Sequence, residues 1–76
     1  MKLVQSYVLE KYFVSTISRV YDTAGREVQG YETMAWHWDK VSKEQGELLS
    51  QDFDATQSQA LLRHSEICKA LLEQEP

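Results

Sequence analysis

Cysteine is almost absent from this chain of 76 residues, in which Cys68 is the only one. A single cysteine excludes an intrachain disulfide and provides no cysteine pair for a structural zinc site. The first residues lack the apolar run of a secretory signal, and no stretch approaches the roughly 20 apolar residues that span a bilayer. The sequence therefore predicts a cytoplasmic protein with no membrane segment, no metal and no cofactor.

Clustered positive charge is also missing, since eight Lys and Arg face twelve Asp and Glu, for a net charge of −4. The imbalance grows along the chain, because the part after residue 43 holds two basic and seven acidic residues. Binding to nucleic acid requires cations that neutralise phosphates. The composition thus argues against a nucleic-acid partner. A nucleic-acid-associated regulator stays open only through the isolated cations Lys11, Arg19 and Arg26.

The length fits one domain, residues 1–76. A core of this size supplies about 3–5 kcal/mol, and small proteins commonly add a disulfide, a metal or a partner chain. The first two are not expected here. The remaining support is self-association, so the sequence predicts a homo-oligomer, with a dimer as the simplest case.

Residues that favour β-strands fill Tyr12–Tyr21 and a second stretch from about Glu27 to Trp38. Between them, Asp22 opens a tight turn, and Gly25 supplies the positive φ of a bulged hairpin loop. Two strands joined by so short a connection are antiparallel neighbours. The sequence therefore predicts a β-hairpin.

Pairing across this loop predicts Val14 near Met34 and Tyr12 near Trp36. A shift of one residue would move a whole strand's side chains to the other face, so the assignment depends on the register. In the predicted register, one face collects Tyr12, Val14, Val20, Val28, Met34, Trp36 and Trp38, and the other collects Phe13, Ile17, Tyr21, Tyr31 and Ala35. Both faces are apolar in any register, whereas one helix covers one face. A second chain is expected to cover the other.

The rest of the chain predicts a short third strand at Glu47–Phe53 and a C-terminal helix. Thr56 and Gln59 match a capping box, with Asp54 as an alternative cap, and the helix should reach about Glu73. Its apolar stripe comprises Ala60, Leu61, His64, Ile67, Cys68, Leu71 and Leu72. Residues 1–9 fit either a strand or a short helix. The fold class is α+β, an antiparallel meander of two or three strands with one helix packed on it.

Trp36 and Trp38 flank His37 in the second strand. Tryptophan buries a large area at low entropic cost, so this pair fits either a core or an interface. Leu62 projects from the polar side of the predicted helix. The candidate interface or ligand-binding residues are therefore Tyr31, Trp36, His37, Trp38 and Leu62.

His64 and Cys68 are four residues apart, a spacing that can pair a base with a thiol or place two metal ligands together. Two ligands do not complete a metal site, and a cysteine within an apolar stripe is more typical of a structural thiol. Glu32 interrupts an apolar strand and needs a partner such as Arg19. Glu32, His64 and Cys68 mark a possible cleft between sheet and helix, and no residue is assigned as catalytic.

Short segments of the chain resemble a known group of proteins. The strand Tyr31-Glu32-Thr33-Met34-Ala35-Trp36 is similar to the Glu-Thr-Met-Val-Phe strand of small uncharacterised bacterial, phage and integron-cassette-like proteins of mobile genetic elements. In those proteins a short strand then leads to a helix beginning Thr-x-x-x-Ala and bearing a histidine. Phe53, Thr56-Gln57-Ser58-Gln59-Ala60 and His64 follow in matching order, although Ala35-Trp36 replaces Val-Phe. The resemblance spans roughly residues 12–72. It implies an α+β fold, no established activity and a structural role for His64.

The sequence as a whole predicts a small interaction module that self-associates, can bind another protein and has no catalytic activity. The alternative is a small-molecule-binding protein or minor enzyme that uses the cleft around His64 and Cys68.

Overall fold

The computed structural model describes residues 1–74. These residues form an antiparallel sheet with strand order β1-β2-β3-β4 and one helix that packs on it. The elements are β1 (Lys2–Val8), β2 (Tyr12–Thr23), β3 (Arg26–Asp39), β4 (Glu44–Asp54) and α1 (Gln57–Glu73). No helix within the described residues is long and apolar enough to cross a membrane.

The predicted α+β class is confirmed, but the described residues form four strands instead of two or three. The additional strand is β1, at the start of the chain where a strand and a helix were both open. It pairs with β2 and becomes an edge of the sheet. Because β1 extends the sheet, it does not fold over the face that lies opposite the helix. That face has no cover within residues 1–74.

The predicted register of the hairpin was wrong by one residue. Val14 lies opposite Ala35, and Trp36 lies opposite Phe13. The cause is the turn: Ala24 and Gly25 alone connect the strands, with φ of 52° and 75°, where a longer bulged loop was expected. Positive φ at both central residues is typical of a type I′ turn, whose twist matches that of the strands. The shift reverses the face assigned to every β3 side chain.

The apolar core lies between α1 and the sheet and contains Val8, Tyr12, Val14, Ala35 and Leu71. The side chains of Ile67 and Cys68 pack against it.

The helix begins as predicted, because the Thr56 hydroxyl accepts a hydrogen bond from the backbone N–H of Gln59. Its predicted stripe was too wide. Leu61 and Leu72 are 39% and 51% exposed, since they lie on the flank of α1 instead of facing the sheet.

The two edges of the sheet differ in composition. β4 carries several carboxylates, including those of Glu44 and Glu47, and its pairing with β3 is interrupted by register shifts. Charged residues and bulges both discourage further strand pairing. β1 carries one charged residue, Lys2, and its register shift is confined to its first residues. β1 is therefore the edge with less protection against addition of another strand.

Candidate binding surface and the buried histidine cluster

Four aromatic residues form a surface on the side of the sheet away from the helix, and we call them the aromatic surface: Tyr7, Phe13, Trp36 and Trp38. Ring centroids are 5.0 Å apart for Tyr7 and Phe13, and 4.9 Å apart for Tyr7 and Trp38. The Phe13 ring stacks on Trp36 at 5.6 Å and lies 5.8 Å from Trp38. These separations are typical of favourable aromatic pairs. The rings form one connected cluster across three strands.

The strand register explains how this surface is assembled. Phe13 lies opposite Tyr7 on β1 and opposite Trp36 on β3, so it occupies the centre. It is only 7% exposed, because its neighbours cover it. Tyr7, at the β1 side, is 58% exposed. Phe13 thus supports the cluster from below, while Tyr7 offers an open ring face to solvent.

Polar side chains surround the aromatic surface. Together with the rings they line a shallow, open depression of about 530 Å³, a volume within the range of small-ligand sites. The polar members are Lys2, Gln5, Ser15, Lys43 and Gln45. The lining residues include two lysines and no Asp or Glu. The depression is accordingly positive, although the chain as a whole is acidic.

Glu32 lies on the same face of the sheet, farther from β1, and is 3% exposed. Its carboxylate accepts a hydrogen bond from Arg19 Nη1 at 3.3 Å and one from Gln51 Nε2 at 2.6 Å. The predicted pairing with Arg19 is thus present. A buried carboxylate is tolerated when charged and hydrogen-bonding partners compensate it, as they do here.

Tyr21 packs beside this ion pair. Its ring approaches Phe53 edge-on at 5.7 Å, and the Arg19 guanidinium lies 4.9 Å from the ring centre. Gly30 leaves room for the ring, since a Cβ at that position would lie 2.8 Å from Tyr21 Cε2. Desolvation raises the pKa of Tyr21, the Glu32 carboxylate raises it further, and Arg19 opposes both. The Tyr21 hydroxyl is buried and has no hydrogen-bond partner within residues 1–74.

A second cluster of polar groups lies under the helix, and we call it the histidine cluster: Ser6, Thr16, Thr33 and His64. The Nε2 atom of His64 lies 2.9 Å from the Ser6 hydroxyl, and its Nδ1 atom lies 2.8 Å from the Thr16 hydroxyl. The Thr16 and Thr33 hydroxyls are 2.7 Å apart. Thr16 and Thr33 are fully buried. The imidazole therefore links α1 to β1 and β2 at the centre of the protein.

The protonation states of His64 and Cys68 favour a structural role for both residues. Burial lowers the pKa of His64, which keeps the imidazole neutral at physiological pH, with one nitrogen as donor and the other as acceptor. Burial raises the pKa of the Cys68 thiol, and a hydrogen bond with Ser6 opposes that shift in part. A nucleophilic cysteine needs a lowered pKa. This thiol is shifted in the opposite direction.

The sequence-predicted site residues fall into separate places. Trp36 and Trp38 belong to the aromatic surface, on the face opposite the helix. Strand alternation puts Tyr31 and His37 on the helix-bearing face, with His37 5.7 Å from Tyr12 by ring centroids. Leu62 lies on the outer side of α1 and is 61% exposed.

The residues of the predicted cleft are not brought together. His64 and Cys68 lie beneath the helix, whereas Glu32 lies on the opposite face of the sheet, because the true register reverses β3. Glu32 consequently cannot share a sheet–helix cleft with the other two residues.

Sequence reasoning missed two of the four residues of the aromatic surface and three of the four residues of the histidine cluster. Tyr7 and Phe13 complete the aromatic surface, and the correct hairpin register would have placed Phe13 beside Trp36. Ser6, Thr16 and Thr33 complete the histidine cluster. Hydroxyl residues are common in strands, so nothing in the sequence distinguishes these three from solvent-exposed ones.

Residues 1–74 contain no group of three His, Cys, Asp or Glu side chains that could hold a metal ion. Comparison with protein-family models, curated proteins and solved structures gives no match to this chain.

Proposed function

We propose that this chain is an interaction module without catalytic activity that self-associates through the edge of β1. The observation that supports this most strongly is the contrast between the two edges of the sheet. β4 is acidic and irregular, whereas β1 presents a nearly uncharged strand with an open row of backbone groups. Such an edge is a template for pairing with another strand.

The flank of the helix supports the same contact. Leu61, Cys68 and Leu72 lie within about 40° of one another on α1, from the helical spacing of 100° per residue. Cys68 contacts Ser6 of β1, so this flank is the one that lies toward β1. The exposed Leu61 and Leu72 side chains thus form an apolar border beside the free strand. Apolar groups next to an open edge are typical of a subunit contact.

The occupant of this edge is a second copy of the chain. A two-fold axis perpendicular to the sheet would pair β1 antiparallel with its own copy and give a continuous eight-stranded sheet. Both helices would then lie on one side, with their apolar flanks directed toward the seam. A contact of this kind is isologous, the commonest arrangement of homodimers.

Sedimentation velocity at tens of micromolar tests the proposal. We expect the wild-type chain to be a dimer and the L61E/L72E variant to be a monomer, because two carboxylates per chain would be placed at the seam. L62E is the matched control: it makes the same substitution on the same helix, about 100° away from Leu61. It should remain dimeric. A monomeric wild-type protein, or equal dissociation of both variants, would contradict the assignment.

Cytoplasmic localisation and kinship with the small proteins of mobile elements belong to the same proposal. The single cysteine supports a reducing compartment. The order of Phe53, Thr56 and His64 along the chain supports the kinship. A structural role for the histidine of that group fits the position of His64 at the centre of the protein.

A further inference from the structure

The net charge of −4 is unevenly divided between the two faces of the sheet. Alternation along the strands puts the charged side chains of Lys2, Arg19, Arg26 and Glu32 on the face of the aromatic surface, and Lys43 lines the depression there. At the rim beside Tyr7 and Trp38, Glu10 forms an ion pair with Lys40, so these two charges cancel. Apart from that pair, the four cations named above accompany one carboxylate, that of Glu32. That carboxylate is buried and already bonded to Arg19. The other face carries most of the acidic residues, including Asp52 and Asp54.

This charge pattern decides what can cover the aromatic surface. A second copy packed face to face would bring the same cations together, because an isologous contact repeats one patch on both sides. An anionic partner, in contrast, would meet complementary charge. The surface also offers ring faces, Tyr7 being the most open, and two amide side chains, Gln5 and Gln45. The partner that fits both the charge and the rings is anionic and carries flat aromatic groups.

We propose that the aromatic surface binds single-stranded nucleic acid. Unpaired bases stack on exposed aromatic side chains, and this contact tolerates any base because every base has a π-face. Tyr7 and Trp38 supply ring surfaces, and Lys2 and Lys43 lie at the rim of the same depression, where phosphates can reach them. Duplex nucleic acid keeps its bases stacked internally, so it is expected to bind more weakly. The binding does not require self-association.

The number of cations near the aromatic surface determines the expected strength and salt dependence of nucleic-acid binding. Each phosphate neutralised on a single strand contributes about −0.7 to the slope of log K against log salt. Lys2 and Lys43 predict a slope of about −1.4, or about −2.1 if Arg19 also takes part. The acidic remainder of the chain repels the strand at long range. The binding should accordingly be weak and should not appear as strong retention on a polyanionic column.

Tryptophan fluorescence provides a direct assay, since Trp36 and Trp38 are the only tryptophans in the chain. Titration with unlabelled oligo-dT of about a dozen nucleotides at low salt should quench this fluorescence. Y7L keeps an apolar side chain in β1 but removes the ring, and should weaken binding about tenfold, or about 1.4 kcal/mol. K43Q should reduce the salt slope by about 0.7.

K69Q is the matched control for charge, because Lys69 is exposed on the helix and lies away from the aromatic surface. It changes the net charge as K43Q does and should leave binding unchanged. Circular dichroism of each variant verifies folding, and the wild-type quenching result stands without any variant. Absence of quenching at high protein concentration would overturn the proposal. Equal binding of an acidic peptide, or equal effects of K43Q and K69Q, would also overturn it.

Discussion

Replacement of His64 by leucine tests whether the histidine cluster holds the helix on the sheet. Leucine fills a similar volume but cannot bond to Ser6 or Thr16, whose hydroxyls lie 2.9 and 2.8 Å from the imidazole nitrogens. A hydrogen bond in a folded protein contributes about 1 kcal/mol net. Two lost bonds, offset in part by the added apolar burial, lower the free energy of unfolding by about 1.5 kcal/mol.

The hydroxyl groups next to His64 explain why the loss of stability in H64L is not larger. The Thr16 hydroxyl is fully buried but keeps its bond with Thr33 at 2.7 Å. Ser6 is only partly buried, so its hydroxyl can bond to water instead. T16V removes the bonds to both His64 and Thr33. Both single variants lose the bond between His64 and Thr16, whereas the double variant H64L/T16V loses that bond only once. The free energy of unfolding that the double variant loses should therefore be about 1 kcal/mol smaller than the sum of the two single losses.

Urea denaturation followed by tryptophan fluorescence measures these effects. With a slope of about 1 kcal/mol per molar urea, H64L should lower the midpoint by about 1.5 M. The exposed His37 provides the control, and H37L should change stability by less than about 0.5 kcal/mol. Strictly additive losses for H64L and T16V, or an effect of H64L no larger than that of H37L, would refute the reasoning.

Three further outcomes follow from the same structure. Because burial lowers the pKa of His64 below 6.5, the unfolded chain binds more protons than the folded one, so stability should fall as pH drops below about 6.5. Urea midpoints measured across pH will show this dependence, and the part due to His64 should vanish in H64L. A24N should raise stability by about 0.5–1 kcal/mol, because Asn accepts the positive φ of the first turn residue; an unchanged melting temperature would contradict this. Burial and the raised pKa of Cys68 should make its alkylation at pH 8 at least about tenfold slower in the native protein than in urea, whereas equal rates would show an accessible thiol.

Local patterns in the sequence were sufficient for much of the fold. The cap at Thr56, the end of the helix at Glu73 and the hairpin are all local features, and the structure has them. The same reasoning did not predict β1, because a segment as short as residues 1–9 fits either a strand or a helix until a neighbouring strand provides its hydrogen bonds. Pairing with β2 selects the strand.

The composition of the aromatic surface depends on the type of turn between β2 and β3, which local sequence patterns did not determine. A two-residue turn and a bulged loop are both compatible with Thr23-Ala24-Gly25-Arg26, yet they place Trp36 on opposite faces of the sheet. The histidine cluster was beyond reach for another reason. Ser6 and Thr16 are 58 and 48 residues from His64 in sequence, and only the packing of the helix brings them together.

The same register determines which side chains share a face with the cations of the depression, Lys2 and Lys43. With β3 shifted by one residue, Trp36 and Trp38 would move to the helix-bearing face, and Ala35 and His37 would take their places beside Phe13. The two lysines would then border a depression that had lost two of its four aromatic rings. Composition is identical in the two cases, so a net charge of −4 does not determine what the surface attracts. The turn at Ala24 and Gly25 determines it, since it fixes the strand alternation that separates the cations around Trp36 from the acids around Arg63.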